Sequence, residues 1–296
     1  MRPRTRFHPW IMLGPTLALL VVFFVVPIAL ATRQSLYAWD LLTPPEYVGL
    51  DNYRAIAAHG ELFQIALRTL AFSAMVVTFA MTTGLGLALL LNRPGRFFAF
   101  VRASIFSAYV VSWVAVALLW MGLLDPDSGI VGAIAHIGLL ADPRAALPTL
   151  AAVTVWKITG YAMIVFLAGL QSVPLQLLEA AALDGAGMVA RFRYVVWPLL
   201  RPTAAFVATT SLIVSFQAFD VVRIMTQGGP TKATTLFVYA IYERVFLDFS
   251  IGKASALTVV FFVALLAAAA LQLRAWRGRA SDQRDQRDQR GPSDKS

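Results

Sequence analysis

Long apolar runs alternate with short polar stretches punctuated by Gly and Pro along this chain of 296 residues. A helix crosses about 30 Å of hydrocarbon with roughly 20 apolar residues at about 1.5 Å of rise each. Six stretches reach or approach that length, at approximately 10–31, 69–91, 103–124, 147–170, 203–223 and 256–273. The pattern predicts an all-α polytopic membrane protein with six transmembrane helices. A further apolar stretch, 129–141, is too short to span unaided and reads as a short external or re-entrant helix. The chain then divides into an N-terminal segment 1–9, a first span with its loop at 10–64, a core at 65–274 containing the polar loop 171–202, and a tail at 275–296.

Two ends of the chain need separate readings. A basic start, an apolar run and Ala29-Leu30-Ala31 imitate a signal peptide, but the run from Ile11 to Leu30 exceeds the usual 7–15-residue core, so a retained span is expected. In the tail Asp-Gln-Arg repeats three times from Asp282 to Arg290; with alternating charge and no apolar face it reads as a solvated, disordered end.

Composition supports the membrane reading. Hydrophobic residues make up 58% of the chain and charged ones 14%, against about a quarter charged in soluble domains. The net charge of +9 does not point to nucleic acid, because the basic residues punctuate apolar runs instead of gathering on one face. With no Cys, and only His8, His59 and His136 far apart, thiolate chemistry is excluded and a histidine or metal centre has little to build on. Cytoplasmic loops carry the excess of Lys and Arg. Placing both termini inside puts sixteen of the 25 basic residues on or bordering that face, and puts the loop 171–202 there too.

That loop carries the densest pattern. Glu179 to Leu183 is strongly helix-forming, and Gly185 then permits a turn that a side chain would obstruct. Asp184 and Glu179 place two carboxylates on an otherwise basic face, suited to a cationic groove on a partner. Ala180, Ala181 and Ala186 let a neighbour approach the backbone, and Pro198 and Pro202 fall where the next span begins, where a missing amide hydrogen costs least. The competing reading is an Ala-rich connector.

The ordered pattern Glu179, Ala180, Ala181, Asp184, Gly185, Ala186, Phe192, Pro198 and Pro202 resembles the EAA coupling loop of ABC-transporter permeases. Phe219, Asp220, Thr226, Gly228, Gly229, Pro230, Thr234 and Thr235, together with Val48-Gly49-Leu50-Asp51-Asn52-Tyr53, resemble the maltose and glycerol-3-phosphate type of sugar permease, with its MetI-like transmembrane domain. The chain departs from that pattern at Arg68-Thr69, where Asn-Thr is frequent, and at Ala108 and Gly132, where Pro and Asn are common.

The resemblance implies a type I importer permease fold at the bacterial or archaeal inner membrane, both termini cytoplasmic. It implies a pair of cytoplasmic ATPases docking on the loop, a second permease subunit that is a different chain, an external solute-binding protein, and a sugar or polyol as cargo moved by alternating access. No cofactor is expected on this chain; ATP and Mg belong to the ATPases, and no G-x-x-x-x-G-K-[ST] run occurs here. The rival classes are a membrane-embedded enzyme and a stand-alone secondary transporter or channel.

For a polyol the pathway calls for hydroxyl, amide and aromatic groups facing inward. Trp156, Thr159 and Tyr161 in the fourth span and Ser211, Ser215, Gln217 and Phe219 in the fifth supply them, against the alternative of ordinary helix packing by small and polar residues. Ionisable residues within spans mark function by default. Asp220, a further pathway candidate, and Arg223, three apart, would share one helix face near the outer end of the fifth span, the alternative being a structural pair or snorkelling near the interface. Lys157, about ten residues into the fourth, either lines the pathway or bridges to a partner subunit.

Overall fold

The computed structural model describes residues 8–130 and 138–288, so most of the 129–141 stretch, with His136, lies outside the described residues. The chain forms two compact units, one of residues 1–62 with 241–296 and one of residues 63–240.

In the first unit, α1 (His8–Leu20) runs through a π-helical turn at Val21–Val25 into α2 (Val26–Gln34). The π turn stands directly ahead of Pro27. Proline donates no amide hydrogen and its ring crowds the carbonyl four residues back, so the helix widens to i→i−5 bonding just before it. A hairpin of two-residue strands follows, β1 (Tyr37–Ala38) antiparallel to β2 (Glu46–Tyr47), with Tyr37 opposite Tyr47. The Val48–Tyr53 motif opens α3 (Asp51–Ala57): buried Asn52 donates Nδ2 to Ser35 O and Tyr37 O, both at 2.9 Å, and Tyr53 shares a 2.7 Å hydroxyl bond with Ser35.

The second unit opens with α4 (Glu61–Leu91), whose buried positions Ile65, Thr69, Phe72, Val76, Ala80, Gly84 and Ala88 form one stripe at helical spacing. Next come α5 (Arg96–Val110), α6 (Trp113–Leu123) and α7 (Ala146–Gln171), the most deeply buried of the spans. The coupling segment is α8 (Leu175–Leu183) and α9 (Met188–Arg191), and a second π turn at Phe192–Val196 leads into α10 (Trp197–Phe216). The π turn again precedes a proline, Pro198. A short α11 (Asp220–Met225) follows, and α12 (Phe237–Phe246) leads back to the first unit. There α13 (Ile251–Asp288) packs on α2, α3 and β1. The core of the second unit lies where α7 meets α4 and α10, around Ala88, Met163, Phe166, Leu200 and Val207.

Among the described residues five helices are long and apolar enough to cross a membrane, six if one bent pair counts as a span. That agrees with the expected all-α fold, with three corrections. The third span is not a continuous 103–124 helix: α5 and α6 meet at 101°, because Val111 and Ser112 are extended and the Ser112 hydroxyl accepts from Ala115 N to start a new helix. The fifth ends at Phe216, not 223; Gln217 closes it, and Asp220 restarts a helix with its carboxylate in the favourable first turn. The last helix continues through the first repeats to Asp288 where a disordered tail was expected. No Pro lies between Ile251 and Asp288, and Ala, Leu, Arg and Gln are good helix formers.

Candidate functional site

Helix α8 ends in a motif that its own sequence dictates. Asp184 is the C-cap and Gly185 stands at φ +78, the left-handed conformation that glycine adopts without a Cβ penalty. Gly185 N bonds Ala182 O at 3.1 Å and Ala186 N bonds Ala181 O at 2.9 Å, so two of the carbonyls that a helix end leaves orphaned are satisfied. Glu179, Ala180 and Asp184 are exposed, Phe192 is half-buried with its ring 6.3 Å from that of Trp197, and Pro198 sits in the first turn of α10. No residue from Gln171 to Leu199 is buried. The large apolar side chains here are bare, with Leu183 90%, Val189 80%, Met188 75% and Tyr194 74% exposed.

The nine candidate pathway residues separate. Tyr161 and Ser211 line a cavity of about 210 Å³ with Tyr109, whose ring stacks on Tyr161 at 5.1 Å. Gln217, Phe219 and Asp220 line one of about 230 Å³ with Trp113, and Val214 borders both. Trp156 and Thr159 instead face an apolar groove of about 1040 Å³ between α4, α5 and α7, where the hydroxyls of Thr159 and Thr83 lie 3.0 Å apart. Ser215 is buried and donates to Leu212 O.

Lys157 neither lines a described cavity nor reaches outward. It is 2% exposed, and its ammonium donates to Ala108 O at 3.3 Å, Tyr109 O at 3.0 Å and Val111 O. The same Nζ lies 4.9 Å from the Trp113 ring centroid and 5.9 Å from that of Tyr109.

Tyr109 and Trp113 are the residues that sequence reasoning missed. The signal lay in Ser112, a preferred N-cap residue just before an apolar run, which marks a helix start inside the stretch read as one span.

The Thr-x-Gly-Gly-Pro segment folds into a packed turn. Gly228 stands at φ +78, and a Cβ there would lie 2.6 Å from Tyr239 Cε1. The Thr226 and Thr234 hydroxyls meet at 2.8 Å, buried Thr234 also donates to Gly229 O, and Thr235 donates to Gly228 O. Both threonines of the motif therefore hold this loop together.

Apolar helices around small cavities, with a bare helix–turn–helix beside them, define a polytopic membrane component. The chain belongs to the family described as binding-protein-dependent transport system inner membrane component, whose profile matches residues 80–279. It is 32% identical over 273 residues to the sn-glycerol-3-phosphate transport system permease UgpA of Agrobacterium fabrum, covering 90% of this chain and 93% of that one. It is 31% identical over 281 residues to the permease of that name from Pectobacterium atrosepticum, covering 92% and 94%. Two solved structures share the fold at 22% identity. One is a bacterial ABC transporter importing alginate (TM-score 0.75, 90% of this chain and 96% of that one). The other is an alginate transporter in complex with its pentasaccharide-bound periplasmic protein (0.76, 90% and 92%). The chain is thus a permease component of an ABC importer, a transport subunit whose ATPase is a separate subunit, and the secondary-transporter, channel and enzyme readings fall.

Proposed function

We propose that this chain conducts a sugar, polyol or phosphorylated relative across the inner membrane, working beside a second, different permease chain, and that an ATPase pair drives it through the 175–196 segment. The observation that carries the coupling is the exposure of Leu183, Met188, Val189 and Tyr194 in the same short segment as the exposed Glu179 and Asp184 carboxylates. Exposed large apolar patches beside polar groups mark partner sites, and the two carboxylates suit a cationic groove. The Gly185 turn fixes the angle between the helices that the ATPase would grip. Both termini and this segment lie in the cytoplasm on this reading, as the distribution of Lys and Arg favours. ATP and Mg act on the ATPases, and a loaded external binding protein and ATP stabilise different states of the permease pair, giving alternating access.

The names of the curated relatives favour glycerol phosphate or a similar polyol as cargo. The cavities bordered by Tyr109, Trp113, Tyr161, Ser211, Gln217 and Asp220 offer aromatic faces, hydroxyls and an amide to such a solute. Gentle purification from the native membrane tests the coupling, beside a chain carrying Glu179→Lys and Gly185→Pro. Proline cannot adopt φ +78. We expect an ATPase to accompany the unaltered chain and to be lost from the variant; a folded chain that brings no ATPase in either form ends the coupling reading.

A further inference from the structure

The break between α5 and α6 occurs in the sequence Ala108-Tyr109-Val110-Val111-Ser112, with neither Pro nor Gly. Sharp kinks almost always trace to Pro, Gly or Ser, a π-bulge or an inserted group. Ser112 accounts for the start of α6 but not for the fate of the carbonyls that end α5, which in hydrocarbon must find partners inside the protein. Lys157 supplies them. Its three-donor ammonium meets Ala108 O, Tyr109 O and Val111 O at the negative end of the α5 dipole. One turn further along α7, Gly160 makes the approach possible, since a Cβ there would lie 2.6 Å from Ile105 O and 2.8 Å from Phe106 Cα. The same device recurs at the end of α4, where Arg102 of α5 donates to Leu91 O at 2.8 Å and Arg93 O at 3.2 Å.

We infer that Lys157 is a positioning residue for transport: it pins the broken third span and so sets Tyr109 and Trp113, which flank the break, at the two cavities. The pin is a matter of geometry alone. Its effect on transport rests on the cavities being the cargo path, as proposed above.

Two readouts separate the pin from the path. The chain has no Cys, so F97C and L119C, at exposed positions on either side of the break, accept spin labels without background in an importer whose partner subunits have had their cysteines replaced. With a 101° bend the two positions are about 22 Å apart along the helix axes, and about 33 Å apart if α5 and α6 run straight. We expect a narrow, short distribution in the assembled importer. K157M should broaden it outward and raise the KM for uptake of sn-glycerol 3-phosphate, the probe solute, several-fold more than it lowers the maximal rate.

S112P should reverse both effects in K157M. Val111 at φ −63, ψ 144 and Ser112 at φ −61, ψ 147 already hold the angles that proline and its predecessor require, so the ring locks the break without the ammonium. If K157M does not assemble, S112P must restore assembly. An unchanged short distribution in K157M overturns the pin, as does a loss that S112P fails to repair; with the distance still short, that loss puts the ammonium on the cargo itself. Should the distances behave as expected while Y109A and W113A leave KM untouched, the pin stands and the cargo path is wrong.

Discussion

The turn at Asp184–Gly187 and the break at Val110–Ser112 both redirect a helix, yet they are encoded in different ways. The turn is local: Gly185 takes φ +78, its neighbours satisfy the last carbonyls of α8, and nothing lies within 4 Å of where a Cβ would point. The break is remote, because its carbonyls are satisfied from α7 by a residue 46 positions after Val111. A locally encoded turn can sit bare on the surface and await a partner. A remotely encoded one depends on a buried partner, here Lys157, and it ties the shape of the third span to the packing of the fourth.

The largest expected effect attacks the remote side. Gly160→Val drives a side chain into the α5 backbone at Ile105 and Phe106, where the obstacle is main chain and not a flexible tip. We expect a loss of about 3 kcal/mol or more, seen as failure to recover the chain with its partners and, in whatever assembles, a longer distance between labels at residues 97 and 119.

Gly185→Ala probes the local side and should cost about 1–2 kcal/mol, since only the left-handed conformation of one residue is penalised. The fold of the second unit should survive, while capture of the ATPase falls several-fold. If Gly185→Ala unfolds the chain, the turn is not locally encoded.

The same contrast explains what was legible beforehand. Gly185, Pro198 and the threonines of the Thr-x-Gly-Gly-Pro segment act through their own backbone or near neighbours, so residue type and spacing reveal them. The bend escaped because Tyr109-Val110-Val111 has no helix breaker and Lys157 lies far off in sequence. The pathway candidates share their chemistry, but those of the fourth span do not share a helix face. Trp156 and Tyr161, five apart, lie about 140° apart around a helix, and they do face different cavities. Helix periodicity would have separated them.

Ser112→Ala tests how much of the break is local. Its hydroxyl accepts from Ala115 N at 3.3 Å, a long bond, so the loss should fall near the low end for a cap, about 0.5 kcal/mol. The spin-label distance should hold, because Lys157 remains. A longer distance in S112A would shift the origin of the bend from the ammonium to the hydroxyl.

The smallest effect belongs to another locally encoded turn, just after α6. Asp125 Oδ1 accepts from Ser128 N and the Ser128 hydroxyl, each at 2.8 Å, and from Asp127 N at 3.1 Å. These bonds hold its carboxyl below the usual value of 3.8, the Ser128 amide contributing most. A carboxyl lowered in the folded chain stabilises it at pH above the unfolded value, and that contribution fades as pH falls through the folded one. The contribution of Asp125 to thermal stability should therefore be constant between pH 7 and 5, and only below about pH 4 should the unaltered chain lose it, whereas Asp125→Asn, whose amide oxygen still accepts from the backbone, has no carboxyl to titrate there. The turn lies at the surface and its bonds stay within three residues, so the change should be small and confined to the acid limb. A loss peculiar to the unaltered chain that begins between pH 7 and 5 would show that this turn, like the break at Val111, draws on more than its own sequence.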